Sequence, residues 1–376
     1  MQQQIKGNKT TIGKKQYFRE MRETWKHTRK YMLQKLSQLA FNNKEAVLAL
    51  QENPVVKKRL SARNPKVRPF LMKLSFEVCR GGDWKRIIPA CAAVEFLNIS
   101  TYVTNAVFDE KGGKKSKKDI NQYIIAAMLT RDLAAECLSE VKVSLSQEEI
   151  MEMHQKLTEI NKIIYLGQYI DLFKLKKENI NNFKSFEEIK KLYMERAEMF
   201  CGYFMGNIAF IGALLANATR EQIGTLEEIG FAYGTGLQIA NDIGDFVLGD
   251  SEAKDFEKDY QDQYSDIRHG KLTYPVILGL EMKEKNIIRN LLGKKKSNYK
   301  QLHSLTGFLV KSGIVEKTKQ LVNVKHNECK KELKKLPESK ARKMLSLMVS
   351  GVRSNKYFVF FREFEKPYFN KKLGHK

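Results

Sequence analysis

Proline is scarce, seven in 376 residues, and no Gly/Ser-rich stretch interrupts the chain, so nothing marks a linker between two folding units. Cysteine is sparse and scattered: Cys79, Cys91, Cys137, Cys201 and Cys329 form no Cys-x-x-Cys pair. An odd, unspaced set excludes a disulfide framework or a zinc ribbon and points to free thiols in a reducing compartment, the cytoplasm. The six histidines form no metal-ligand cluster. Met1 to Lys15 holds no apolar signal segment, and no uninterrupted apolar run approaches the length that crosses a bilayer. Sustained strand-like alternation is also missing. Acidic charge is in the minority, with 43 Asp and Glu against 67 Lys and Arg, a formal net charge of +24.

What the chain does have is helix periodicity. Apolar residues recur at spacings of three and four, as at Ile124, Ala127, Met128, Leu133 and Leu138, and at Phe204, Ile208, Ile211, Leu214 and Leu215. At 42% hydrophobic, the chain can bury a large core. The expected class is all-α, with helices around a central apolar cavity.

The positive charge has three readings. Nucleic-acid binding would require a basic stripe with interleaved aromatics or a recognised module, and none is present. Attraction to anionic substrates, or at most a peripheral membrane contact, suits the loop from Lys114 to Lys118 together with Arg68 and Lys271. A solvated surface suits Lys294 to Lys296 and the lysines from Lys330 to Lys335. The aromatic cluster from Tyr357 to Phe361 is expected to pack back onto the protein rather than to dock elsewhere.

The densest chemistry is Gln238-Ile239-Ala240-Asn241-Asp242-Ile243-Gly244-Asp245, within a helix-like apolar run. Asn241 and Asp245 are one helical turn apart and point the same way. Acids on an apolar segment are costly to bury unless a cation neutralises them, and hard oxygen ligands suit Mg²⁺ shared with a phosphate. The plain alternative is a solvated helix end. Downstream, Gly270-Lys271-Leu272-Thr273-Tyr274-Pro275 offers a lysine in a turn, a point charge suited to a phosphate oxygen. His269 beside it reads as turn filler.

Together these segments resemble the second aspartate-rich region and the following Gly-Lys-x-Thr-x-Pro segment of the trans-isoprenyl diphosphate synthase (polyprenyl synthetase) family. Arg63 to Pro69 resembles the family's Gly-Lys-Arg-x-Arg-Pro segment. Gly212 to Ala216, Ser312 to Glu316 and Leu333 to Arg342 resemble its later helices. The resemblance implies an isoprenoid synthase domain over 25–355, between a polar basic extension (1–24) and an aromatic, basic tail (356–376). It also implies a homodimer.

The departures are as informative. The first aspartate-rich region, Asp-Asp-x-x-Asp in the family, aligns with Asn105-Ala106-Val107-Phe108-Asp109, leaving one carboxylate. The family's lysine before the conserved arginine is Pro65 here, with Lys66 adjacent and Arg68 kept. Its histidine is Asn98, its arginine pair is Lys114-Lys115, and its Lys-Thr pair is Phe200-Cys201. A further family lysine has only Lys254 or Lys258 as candidates.

The resemblance implies that Asn105, Asp109, Asn241, Asp242 and Asp245 hold two or three Mg²⁺ ions, weakly at the first region. It implies that Lys66, Arg68, Lys114, Lys115, Gln238, Lys271 and Thr273 bind diphosphate. Asp242, Asp245, Gln238 and Lys271 would then carry the ionisation of an allylic diphosphate, followed by condensation with isopentenyl diphosphate. Ser100 and Thr101, five and four positions before Asn105, are small and imply a product of C20 or beyond, with bulky Tyr102 able to shorten the pocket. Terpene cyclisation or transfer to another acceptor, and a silent subunit paired with an active homologue, stay open as alternatives.

Overall fold

In the computed structural model the described residues are 13–39, 44–63, 65–110, 115–247, 264–294, 297–351 and 355–364. Helix starts are written in capping residues. Ser116, Ser146, Thr219 and Asn298 each accept a hydrogen bond from the third helical N–H, which the third residue's side chain reciprocates. Prolines at residues 54, 89 and 275 sit in first turns, where no N–H is required.

In chain order the helices are α1 (Lys14–Leu39), α2 (Lys44–Glu52), α3 (Pro54–Arg59), α4 (Val67–Val78), α5 (Ile88–Phe108), α6 (Lys117–Ser139) and α7 (Gln147–Phe173). Then come α8 (Phe186–Ala197), a π-helical turn (Glu198–Gly202), α9 (Tyr203–Leu214), α10 (Arg220–Gly244), α11 (Ser265–Arg268) and α12 (Tyr274–Glu281). The last are α13 (Asn286–Leu291), α14 (Tyr299–Lys311), α15 (Ile314–Leu333), α16 (Lys340–Val349) and α17 (Asn355–Phe364). Among the described residues there is no strand, only an isolated antiparallel bridge between Lys176 and Lys271. The all-α expectation holds.

Two apolar clusters make the core. One joins α1, α4, α5, α6, α7, α9 and the first half of α10, with Trp25, Phe70, Phe76, Phe96 and Phe204 among its largest side chains. The other joins α8, the end of α10, α11 to α14, the first part of α15 and α17 around Tyr193, Phe246 and Tyr264, whereas α16 packs into the first. Helix α10 runs through both and packs on α9 and α15. The α9–α10 approach depends on glycine: a Cβ at Gly234 would lie 2.0 Å from the Cys201 carbonyl oxygen, and one at Gly230 2.3 Å from that of Met205.

The expected domain boundary near residue 24 falls inside α1, where Tyr17 and Met21 are already buried. The aromatic tail cluster starts within α17, and Phe358, Phe361 and Phe364 pack into the second cluster. Ala127, Leu133 and Leu138 of the α6 stripe are buried, but Ile124 and Met128 face outward beside Ile125. Two segments, Trp84–Phe108 and Phe186–Leu214, are by length and average composition apolar enough to cross a bilayer, although charged residues interrupt both; most of each is buried within the fold. The five cysteines are unpaired.

Candidate active site

The acids predicted on separate helices converge through cations. Asp109 ends α5, its N–H donating to the Asn105 carbonyl at 2.9 Å. Its side chain meets Lys271, whose Nζ lies 2.8 Å from Asp109 Oδ1, 2.8 Å from Asp171 Oδ2 on α7 and 3.6 Å from Asp266 Oδ1 on α11. Asp171 Oδ1 accepts from Arg196 of α8 through Nε at 2.8 Å, with Nη2 at 2.7 Å. The remaining arm, Nη1, donates to Asp242 Oδ2 on α10 at 2.9 Å. Tyr193 donates to the same oxygen at 2.8 Å, and Gln238 Nε2 donates to Asp242 Oδ1 at 2.7 Å. A buried chain of alternating charge, Asp109–Lys271–Asp171–Arg196–Asp242, therefore runs between the two predicted acid-bearing regions.

The local backbone explains how Lys271 reaches this position. Gly270 adopts φ +69°, a left-handed turn that suits glycine. The turn is locked by Lys177 N–H on the Gly270 carbonyl (2.8 Å), Leu272 N–H on the Leu175 carbonyl (2.9 Å) and Lys271 N–H on the Asp266 carbonyl (2.9 Å). Asp245, the C-cap of α10, accepts from the Ser265 and Asp266 N–H groups at 3.1 Å each, which ties α11 and hence Asp266 to the network.

Electrostatics follow from burial and from how Arg196 is shared. Burial alone would push Asp171 up, yet Arg196 and Lys271 together hold it well below the usual carboxylate range. Asp242 receives only one guanidinium arm; burial pushes it up to about 6, with Asp266 adding repulsion. Burial opposes charge on Lys271, but Asp171, Asp266 and Asp109 outweigh it and hold the ammonium firmly protonated. Arg196 is held likewise by Asp171 and Asp242. Burial and the neighbouring Lys271 lower half-buried Lys176.

The other predicted residues are placed as follows. Asn105 is half-buried and Asn241 exposed on α10. Lys66 is buried with its Nζ 5.2 Å from the Trp25 ring centre, and Arg68 stacks 4.6 Å from the Phe204 ring centre on α9. Lys115 lies 5.2 Å from the Tyr123 ring centre; Lys114, Lys254 and Lys258 lie outside the described residues. Thr273 is buried at the start of α12. Ser100 donates to the Ala127 carbonyl on α6 at 2.8 Å and Thr101 to the Asn98 carbonyl at 2.8 Å. The Tyr102 ring lies under the Arg59 guanidinium of α3, 3.1 Å from its centre. Asn98 donates to Glu95 Oε1 at 3.0 Å.

Sequence reasoning missed Asp171, Arg196 and Tyr193. A signal existed for each. Asp171 interrupts the buried stripe Ile160, Ile164, Gly167 of α7, and Arg196 follows Ile189 and Tyr193 on the buried face of α8. An ionisable residue at a core position of a helix is a site signal.

Several buried polar atoms have no hydrogen-bond partner: both amide atoms of Gln168, one turn before Asp171, and Thr273 Oγ1, Arg68 Nε, Glu95 Oε2 and Asn98 Oδ1. Unpaired buried polar groups are costly, so each of these atoms has a hydrogen bond left to make with water or with a ligand. The magnesium cluster implied by the resemblance is a poorer fit. Among the described residues no three His, Cys, Asp or Glu side chains converge as a metal site. Asp109 is held by Lys271, Asp242 by three donors and Asp245 by two backbone N–H groups.

Comparison with known proteins agrees with this architecture. The family model described as polyprenyl synthetase matches residues 53–308. A geranylgeranyl diphosphate synthase of Sulfolobus acidocaldarius is 28% identical over 256 residues, 65% of this chain and 73% of that protein. A geranylgeranyl pyrophosphate synthase of Geoglobus acetivorans is 27% identical over 294 residues, 76% of this chain and 85% of that protein. The crystal structure of geranylgeranyl pyrophosphate synthetase from Pyrococcus horikoshii superposes with a TM-score of 0.73 at 22% identity, covering 90% of this chain and 98% of that one. With the family model spanning more than half its length, on an all-α bundle whose acid-bearing helices converge, this chain belongs to the polyprenyl synthetase family.

Proposed function

We propose that the chain is a prenyltransferase that condenses an allylic diphosphate with isopentenyl diphosphate and releases diphosphate. The C1–O bond of the allylic substrate breaks. The allylic carbon then bonds C4 of isopentenyl diphosphate, and a proton leaves C2 of the new unit. The observation that carries this reading is the buried charge network joining α5, α7, α8 and α10 within an otherwise apolar bundle. Such a site keeps water from an allylic cation while fixed charges orient the leaving group.

Gln168 and Thr273, with their unpartnered polar atoms, are suited to position a diphosphate beside the network. Lys176, close to Lys271 and Asp171, supplies positive charge beside it, and by the family resemblance Arg68 and Lys115 would add more. Asp109, Asp171 and Asp242 hold Lys271 and Arg196 in place rather than carrying negative charge outward. The relatives named geranylgeranyl diphosphate synthase, with the small Ser100 and Thr101, support a product of C20 or longer.

In this reading the enzyme is a cytoplasmic homodimer. The exposed Ile124, Ile125 and Met128 of α6 and Leu166, Tyr169 and Phe173 of α7 form apolar faces suited to a second copy. Free thiols suit a reducing compartment.

A second reading, transfer to a different acceptor, is favoured by Asn98, which hydrogen-bonds Glu95, and by the Phe200-Cys201 pair on the π-helical turn. Incubating the purified protein with farnesyl or geranylgeranyl diphosphate, with and without isopentenyl diphosphate, separates the two. An elongated diphosphate supports condensation. Hydrocarbon or alcohol without isopentenyl diphosphate supports the second reading. Recovery of unchanged allylic diphosphate under all conditions overturns both.

A further inference from the structure

Mg²⁺ demands near-octahedral oxygen coordination at about 2.0–2.1 Å and takes its protein ligands from carboxylates with free lone pairs. The end of α5 offers a poor version of that. Asp109 is the sole carboxylate between Asn105 and Asp109, and Ala106 contributes no ligand. The space beside Asp109 is filled by an ammonium group that meets three carboxylates from α5, α7 and α11 at 2.8, 2.8 and 3.6 Å. The ammonium of Lys271 is thus ion-paired with three carboxylates at once.

Lys271 is also hard to move. Its side chain is 5% exposed, and its backbone is pinned on both sides by the Lys177–Gly270, Leu272–Leu175 and Lys271–Asp266 hydrogen bonds. A divalent ion entering here would have to displace a buried ammonium from the carboxylates of Asp109, Asp171 and Asp266, and at the end of α5 it would find Asp109 as the carboxylate ligand where the family pattern has three. Arg196 plays the same part further along, binding Asp171 with two nitrogens and Asp242 with the third.

We propose that Lys271 takes the place of a divalent ion at the first acid region: it neutralises Asp109 and Asp171, and no metal ligates Asp109 when a diphosphate binds. This rests on the reading that a diphosphate binds at this site. Any divalent ion that arrives with the diphosphate would have to find its ligands away from Asp109.

Counting bound Mn²⁺ per chain, by elemental analysis after equilibrium dialysis with inorganic pyrophosphate, tests this without any turnover. In Asp109→Asn the Mn²⁺ count is expected to equal that of the unmodified chain, and pyrophosphate affinity to stay within about twofold. In Lys271→Met, which removes the ammonium and leaves Asp109 and Asp171 to share an uncompensated charge, the count is expected to rise by one. That gain should vanish in the Lys271→Met, Asp109→Asn double variant. Loss of an ion in Asp109→Asn overturns the proposal, as does an unchanged count in a folded Lys271→Met. If Lys271→Met does not fold, Asp109→Asn decides alone. A chain that binds no pyrophosphate, with or without Mn²⁺, fails the functional reading first and takes the proposal with it; pyrophosphate bound with an Asp109-dependent ion fails the proposal only.

Discussion

Replacing Arg196 with methionine keeps much of the side-chain volume and removes the guanidinium between Asp171 and Asp242. Deleting one partner of a buried ion pair costs roughly 3–5 kcal/mol, because the other charge is left uncompensated. Here the cost has a pH dependence set by Asp242. Asp171 keeps Lys271 at 2.8 Å, whereas Asp242 would retain only Tyr193 and Gln238.

Asp242 already sits at about 6 against an ordinary 3.8. A carboxylate raised in the folded state contributes stability that is complete below its unfolded value and is lost as pH rises through the folded value. Without Arg196 the folded value moves higher still, so the loss continues above pH 6. Each pH unit of that extension is worth about 1.4 kcal/mol. The deficit of Arg196→Met relative to the unmodified chain should therefore be larger at pH 8 than near pH 5.5, where Asp242 is mostly protonated in both proteins, by up to about 3 kcal/mol for the two pH units above 6. Urea unfolding followed by far-ultraviolet circular dichroism at the two pH values measures this. An equal deficit at both, or no deficit at pH 8, would refute the charge sharing described for Arg196.

Two glycines of α10 should respond in opposite directions. Gly234→Ala places a Cβ 2.0 Å from the Cys201 carbonyl, and the backbone shift should cost on the order of 1–3 kcal/mol or more, overriding the helix-propensity gain. Gly224→Ala meets nothing within 4 Å and should stabilise by about 0.5–1 kcal/mol, so thermal midpoints that move together would contradict the packing. Ile125→Glu with Met128→Glu should convert a dimer to monomer by light scattering while leaving the helical spectrum unchanged; a dimer that survives both charges lies on another face.

Much of the fold was legible because its signals are local. Apolar spacing, capping residues and sparse proline all describe helices, and the second motif segment contains the turn that delivers Lys271. The limits were those of one-dimensional reading. Ile124 and Met128 fit a helical stripe, but periodicity does not say which side of a helix is covered. Asp109, Asp242 and Lys271 were recognisable as chemistry-bearing, yet their partners Asp171 and Arg196 lie on other helices and belong to no spacing that includes them. Lys271 was expected to face a phosphate; its enclosure by three acids depends on where α5, α7 and α11 end, which is a property of packing.

The π-helical turn at Glu198–Gly202 has one more consequence. Such a turn accommodates an extra residue within a helix, and a single residue advances an α-helix by about 100°. The angular phase between Arg196 ahead of it and Phe204 behind it is thus set by a local overcount. Removing one residue there would swing the guanidinium round the helix barrel relative to everything downstream, uncoupling the two halves of the molecule with no change in the charged groups themselves.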